Sequence, residues 1–189
     1  SVDESVAEGC AILRDAARQG MRATATIAVA FGCPFEGDVD AKRVLDIARR
    51  LADAGPVELA LADTIGVGVP GQVLDLFGEL RSQLGTIPLR AHFHNTRNTG
   101  IANAFAALQV GVETLDASIG GIGGCPFAPK ATGNIATEDL IYMLDRMRIA
   151  HDGELDAVIE TSHWLGTALG KELPAMVSRA GGFPPRSSN

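Results

Sequence analysis

The chain has 189 residues, 46% hydrophobic and 21% charged, with a formal net charge of -7. That is enough apolar material for one domain with its own core, or for part of a larger one. The acidic balance, with no run of lysine or arginine, argues against nucleic acid or an anionic membrane as the main partner.

Residues 5–20 (SVAEGCAILRDAARQG) carry the spacing of an amphipathic helix. A β-branched run follows at 24–31 (TATIAVAF) and reads as a strand, then a helix at 40–55. The same alternation recurs: strand 57–63 (VELALAD), helix 71–85, strand 89–95 (LRAHFHN), helix 99–111, strand 113–120 (ETLDASIG), helix 137–147. Gly55, Gly85 and Gly111 stand where glycine ends a helix. A tail helix is expected at 154–170, and GGFPPRSSN at 181–189 reads as a disordered tail. No apolar stretch is long enough for a membrane span, and the acidic opening SVDESVAEGC is not a signal peptide. Cys10, Cys33 and Cys125 are too scattered for a disulfide framework, so a reducing cytoplasm is the expected compartment.

Strand then helix, four times over, means parallel β/α units joined by right-handed crossovers. Four units are half of a (β/α)8 TIM barrel, which needs about 250 residues. Four parallel strands alone would also leave apolar edges unpaired. The expectation is therefore the second half of a barrel over 1–150, a helical extension over 151–180 and the tail over 181–189. An intact open sheet of four units is the alternative.

The polar and glycine-rich segments FGCPFEGD, ADTIGVGVPG, HFHNTRNTG and IGGIGGCPFAPKATGN all follow strands. Ligands bind at that edge in barrels and open sheets alike. His92 and His94, two apart on a strand, share a face. With Asp63 and Asn134 on the same rim they would form a mixed nitrogen and oxygen shell. That shell suits an octahedral divalent ion with open water positions better than a closed zinc site. The bland alternative is two polar residues at a strand end. The stretch 120–134 holds five glycines before Asn134 and one thiol, Cys125. It reads as a lid that delivers an acid or base, as a tight connection with an inert cysteine, or as a phosphate cradle. A dinucleotide fingerprint fails, because Pro126 stands where its third glycine would be. Asp63 either positions or deprotonates a substrate hydroxyl, or braces its own glycine-rich turn. Cys10, Cys33, His151, His163, Met143 and Trp164 read as packing or surface residues.

In order, FGCPFEGDV, ADTIGVGVPG, HFHN and DASIGGIGGCPFAPKATGNIATEDLIYML resemble the hydroxymethylglutaryl-CoA lyase family, over nearly the whole chain. The resemblance implies a (β/α)8 barrel, a Mg2+ or Mn2+ ion, a homodimer and retro-Claisen cleavage of a 3-hydroxyacyl-CoA thioester. For 3-hydroxy-3-methylglutaryl-CoA the products are acetyl-CoA and acetoacetate. By the same resemblance His92, His94 and Asn134 are metal ligands, His92 also standing among the catalytic residues. Cys125 transfers a proton and Asp63 is the active-site carboxylate. The family's first-strand Arg-Asp segment has no counterpart, and Asn95, Arg97, Asn98 and Lys130 depart from its usual residues. Such departures leave room for a citramalyl-type or longer branched substrate, and the missing segment predicts that this stretch alone is inactive. The alternatives are a Claisen-type synthase of the isopropylmalate or citramalate kind, or an inactive half-barrel scaffold.

Overall fold

The structure is a computed structural model that describes residues 1–124 and 133–184. Helix α1 (Val2–Arg18) precedes four β/α units. These are β1 (Thr24–Ile27) with α2 (Ala41–Ala52), β2 (Glu58–Asp63) with α3 (Pro70–Leu84), β3 (Leu89–Phe93) with α4 (Gly100–Gln109), and β4 (Thr114–Asp116) with α5 (Thr137–Met147). Helices α6 (Leu155–Leu169) and α7 (Val177–Ala180) complete the described chain. All strand pairs are parallel, and the sheet order is the chain order, β1-β2-β3-β4. A doubly wound sheet reverses its order at a switch point. No reversal occurs here, so the sheet is an arc of barrel wall.

Alternation divides that wall into two faces. Leu59, Leu61, Leu89, Ala91 and Phe93 are buried with the helices, in one core with Val44 and Ala48 of α2 and Val73 and Phe77 of α3. The register pairs Ala60 with Arg90 and Arg90 with Thr114, and Ala62 with His92 and His92 with Asp116. Those residues form the opposite face, the side a closed barrel turns toward its lumen. Helix α2 shows why the helices sit outside. Asp40 caps it, accepting from the Lys42 N–H at 2.9 Å, and Val44, Ala48 and Leu51 make one buried stripe at helical spacing. A charge at Ala48, which has no exposed surface, would break that packing.

Three strands end before their expected runs: β3 stops at Phe93 rather than at 95, and two others fall shorter still. The run 24–31 pairs only to Ile27, because Val29 takes a positive φ of 51° and its N–H donates to the Thr64 Oγ1 at 2.9 Å. The chain then bends so that Phe31 packs on Phe93, ring centroids 6.1 Å apart. The run 113–120 leaves the ladder after Asp116: Ser118 bridges to Ala136, and 119–121 forms a short 3-10 turn with Gly120 at φ 70°. The fully buried Glu138 carboxylate accepts from the Gly120 N–H and anchors that turn.

The segment after α5 packs back on the same turn. The Ala175 N–H donates to the Gly120 carbonyl at 3.2 Å, and Asp139 caps α7 by accepting from Met176 and Val177. Short helix α7 falls within the helical extension expected over 151–180, beyond the tail helix expected at 154–170. Among the described residues no helix is long and apolar enough to cross a membrane.

Candidate metal centre

Strand β3 delivers both histidines to the lumenal face at its carboxyl end. The two rings lie 5.3 Å apart, tilted by 56°. His94 is 5% exposed and its backbone bridges to Asn134, so the segment 133–136 closes over the pair. The closure is held by backbone: the Asn95 N–H donates to the Gly133 carbonyl and the Ile135 N–H to the Phe93 carbonyl. Gly123 must be glycine for this to happen. It has φ 124°, and a Cβ there would stand 2.5 Å from the Asn134 Nδ2.

The Asn134 amide has one defined orientation, since its Nδ2 donates to the Ile122 carbonyl at 3.0 Å. Its Oδ1 is therefore the free end, and that oxygen is buried with no hydrogen-bond partner. The His94 Nδ1 is orphaned in the same way. A buried acceptor left unpaired costs roughly 1–3 kcal/mol. Two such atoms on residues whose backbones are bridged, next to a second imidazole, fit a cation. Among the described residues no group of three or more His, Cys, Asp or Glu side chains converges. The donor set here is two imidazoles and an amide oxygen, which leaves coordination positions to be filled from elsewhere.

Electrostatics agree with a neutral His94. Burial, then the neighbouring His92, holds the His94 imidazole below its ordinary 6.5, against a weaker upward pull from Asp63. The unfolded chain takes up that proton first. Stability from a neutral His94 is thus complete above 6.5 and is lost as pH falls through the interval between 6.5 and the lower folded value. In the full-length, metal-free protein, an NMR titration of the His94 ring should show a midpoint below 6.5.

Asp63 lies elsewhere than expected. Its parity is that of Leu59 and Leu61, so its side chain joins the helix-side core and has no exposed surface. One carboxylate oxygen accepts from the Val67 N–H and the other from the Gly68 N–H, both at 2.9 Å. Burial pushes its carboxyl above the ordinary range, with those two amides pulling the other way. Of the two readings of Asp63, this geometry favours the brace over the proton-abstracting base. The turn it holds is tied from the far side too: Thr99 and Asn103 donate to the Gly68 carbonyl, and Arg97 to the carbonyls of Ile65 and Gly66.

Cys125, like Lys130, lies outside the described residues. Cys10 is buried on α1, and Cys33 closes a backbone hairpin with Gly37. His151 pairs with Asp145, and His163 bonds the Ser178 carbonyl, both away from the rim. The departures Asn95 and Arg97 are absorbed locally: the Asn95 Oδ1 accepts from the Gly100 N–H, and Arg97 is spent on the turn after β2. Sequence reasoning missed Asp116, whose carboxylate lies 3.4 Å from the His92 Nδ1. No pattern in the chain marked it, because only the register sets this last residue of a three-residue strand beside His92.

A family model described as HMGL-like matches residues 1–165. The chain belongs to the HMGL-like family. It is 45% identical over 183 residues to an (R)-citramalyl-CoA lyase of Chloroflexus aurantiacus, covering 97% of this chain and 58% of that protein. A crystal structure of the Bacillus subtilis HMG-CoA lyase superposes with a TM-score of 0.89 at 37% identity, over 95% of this chain and 60% of that one. An HMG-CoA lyase from Acinetobacter baumannii, solved with coenzyme A and 3-methylmalate, gives 0.89 at 36% identity, over 99% and 60%. The chain thus spans about 58–60% of these relatives and corresponds to their carboxyl-terminal portion. The four β/α units are part of a TIM barrel of the HMGL-like kind.

Proposed function

We propose that the full-length protein is a metal-dependent carbon–carbon lyase that cleaves a 3-hydroxy-3-methylacyl-CoA by a retro-Claisen reaction. The observation that carries this reading is the pair of orphaned, buried ligand atoms, His94 Nδ1 and Asn134 Oδ1, beside the His92 ring. His92, His94 and Asn134 hold Mg2+ or Mn2+, which when bound supplies Lewis-acid polarisation of the substrate's oxygens. His92, the more exposed of the two histidines, also stands among the catalytic residues of this scheme. The hydroxyl loses its proton, its oxygen becomes a ketone, and the electrons of the broken C–C bond pass to the acetyl-CoA enolate. Cys125 gives the enolate carbon its proton, and the resulting thiolate is returned to the thiol by the proton released from the hydroxyl. Asp63 acts as a positioning residue that keeps the β2 rim turn in place.

Two substrates fit this scheme and differ by one methylene between the tertiary carbinol and the free carboxylate. One is 3-hydroxy-3-methylglutaryl-CoA, giving acetoacetate; the other is citramalyl-CoA, giving pyruvate. The 45% identity to the citramalyl-CoA lyase favours keeping the second. Both share the thioester and the tertiary alcohol that the chemistry needs.

The test is to incubate the full-length protein with each thioester and measure acetyl-CoA. Cleavage of at least one, abolished by EDTA and restored by Mg2+ or Mn2+, is the expected result. Failure to cleave either, by protein that still binds the metal, would overturn the lyase reading. The 189-residue chain alone should give no turnover under the same conditions. Turnover comparable to the full-length protein would show that the remaining part of the barrel is dispensable.

A further inference from the structure

Beneath the two histidines, the lumenal face carries a layer of charge that the scheme above leaves unused. Arg90 is its centre: its Nε donates to Glu58 at 2.7 Å and its NH1 to the Asp116 Oδ1 at 2.6 Å. Glu58 is 9% exposed, and its other oxygen accepts from the Thr114 hydroxyl at 2.9 Å. The second Asp116 oxygen, Oδ2, is turned to the His92 Nδ1 at 3.4 Å. Asp116 is also the register partner of His92 across β3 and β4, so the two side chains leave the wall side by side.

We infer that Asp116 is a positioning residue that holds His92 as its Nδ1–H tautomer and presents the Nε2 lone pair to the metal. This deepens the metal reading and rests on it for its purpose, though not for its geometry. An imidazole held by no partner populates both tautomers, and the hydrogen bond at one nitrogen decides which lone pair is free. Only a carboxylate or other acceptor at Nδ1 leaves Nε2 available as a donor. Arg90 fixes the carboxylate that does this. With Oδ1 gripped by a guanidinium that Glu58 also clamps, Asp116 cannot swing toward solvent without breaking a charge-assisted bond. Glu58, Arg90 and Asp116 together carry one net negative charge just below the imidazoles. That favours a cation above them, independently of the ligand atoms themselves.

A purely structural role offers a competing account, in which Asp116 serves only to neutralise Arg90. The two accounts part at the His92 ring. In 15N-labelled, metal-free full-length protein, the long-range 1H–15N spectrum of His92 should show the Nδ1–H form. The Asp116→Ala variant should lose that preference and bind Mn2+ about 10–100-fold more weakly. The Asp116→Asn variant keeps an acceptor oxygen and the shape of the site, so it guards against a failure of Asp116→Ala to fold. It should fall between the two in affinity, and the Arg90→Lys variant should retain the tautomer.

Unchanged His92 tautomer and unchanged Mn2+ affinity in a folded Asp116→Asn or Asp116→Ala protein would overturn the inference, whatever happened to stability. A wild-type protein with the Nδ1–H form but no Mn2+ binding would refute the metal reading instead. The two failures are thus distinguishable.

Discussion

Replacing Asn134 by alanine in the full-length protein should abolish most Mn2+ binding while leaving the metal-free protein as stable as before. The affinity loss should be at least about a hundredfold, since even partners outside the coordination shell are worth about 10–100-fold. The stability result follows from the orphaned oxygen. Wild-type protein without metal leaves the Asn134 Oδ1 buried and unpaired. Removing it recovers roughly 1–3 kcal/mol, while the lost bond to the Ile122 carbonyl is worth only about 0.5–1.5 kcal/mol. An amide that served packing alone would show the reverse, a cost in stability with no metal dependence.

The same variant should lose the stabilisation that ligand binding confers. At a Mn2+ concentration a hundred times its dissociation constant, wild-type protein should gain about 2.7 kcal/mol over the metal-free form. The Asn134→Ala variant should gain almost nothing under identical conditions. Turnover should fall by about a thousandfold, the equivalent of about 4 kcal/mol of lost polarisation at the reacting oxygens. Paired thermal unfolding curves with and without Mn2+ check the first result, and acetyl-CoA release checks the second. Metal-induced stabilisation equal to the wild type's would remove Asn134 from the coordination shell.

Much of this centre is legible in the amino-acid sequence because it rests on strand periodicity. His92 and His94 share a face by simple alternation, and the loop glycines before Asn134 announce a backbone that must fold tightly over them. The β2 strand was legible for the same reason, an apolar run that ends where the ladder ends, and β3 stops two residues before the end of its expected run. Strands β1 and β4 were overextended because β-branched residues continue past the point where the backbone turns away. Val29 is directed by the Thr64 hydroxyl, and Gly120 by the Glu138 carboxylate, and both partners are remote in sequence. Asp116 illustrates the harder limit. A lone acid in a three-residue strand carries no pattern of its own, and its meaning appears only when the register sets it beside His92.

Asp63 carried two readings, a catalytic carboxylate and a brace of its own turn, and the brace yields the second large effect. Its place at a strand end suggested the rim, but counting from Leu59 and Leu61 puts it on the helix side, where it has no exposed surface. Its two oxygens satisfy the Val67 and Gly68 amides. Alanine there would strand both donors in a space too tight for easy repair: a Cβ at Gly68 would stand 3.1 Å from both the Asp63 Oδ2 and the Phe31 ring. With roughly 1–3 kcal/mol for each of the two unsatisfied groups, the Asp63→Ala variant should lose about 2–6 kcal/mol in urea unfolding. The Asp63→Asn variant keeps one acceptor and should lose about half as much. Hydrogen exchange at the Val67 and Gly68 amides should accelerate in step with those losses. An acid–base role predicts another pattern, in which activity collapses while unfolding and amide exchange stay as in the wild type. The brace predicts that activity falls only as far as the turn loosens, because Arg97, Thr99 and Asn103 still hold its carbonyls from the β3 side.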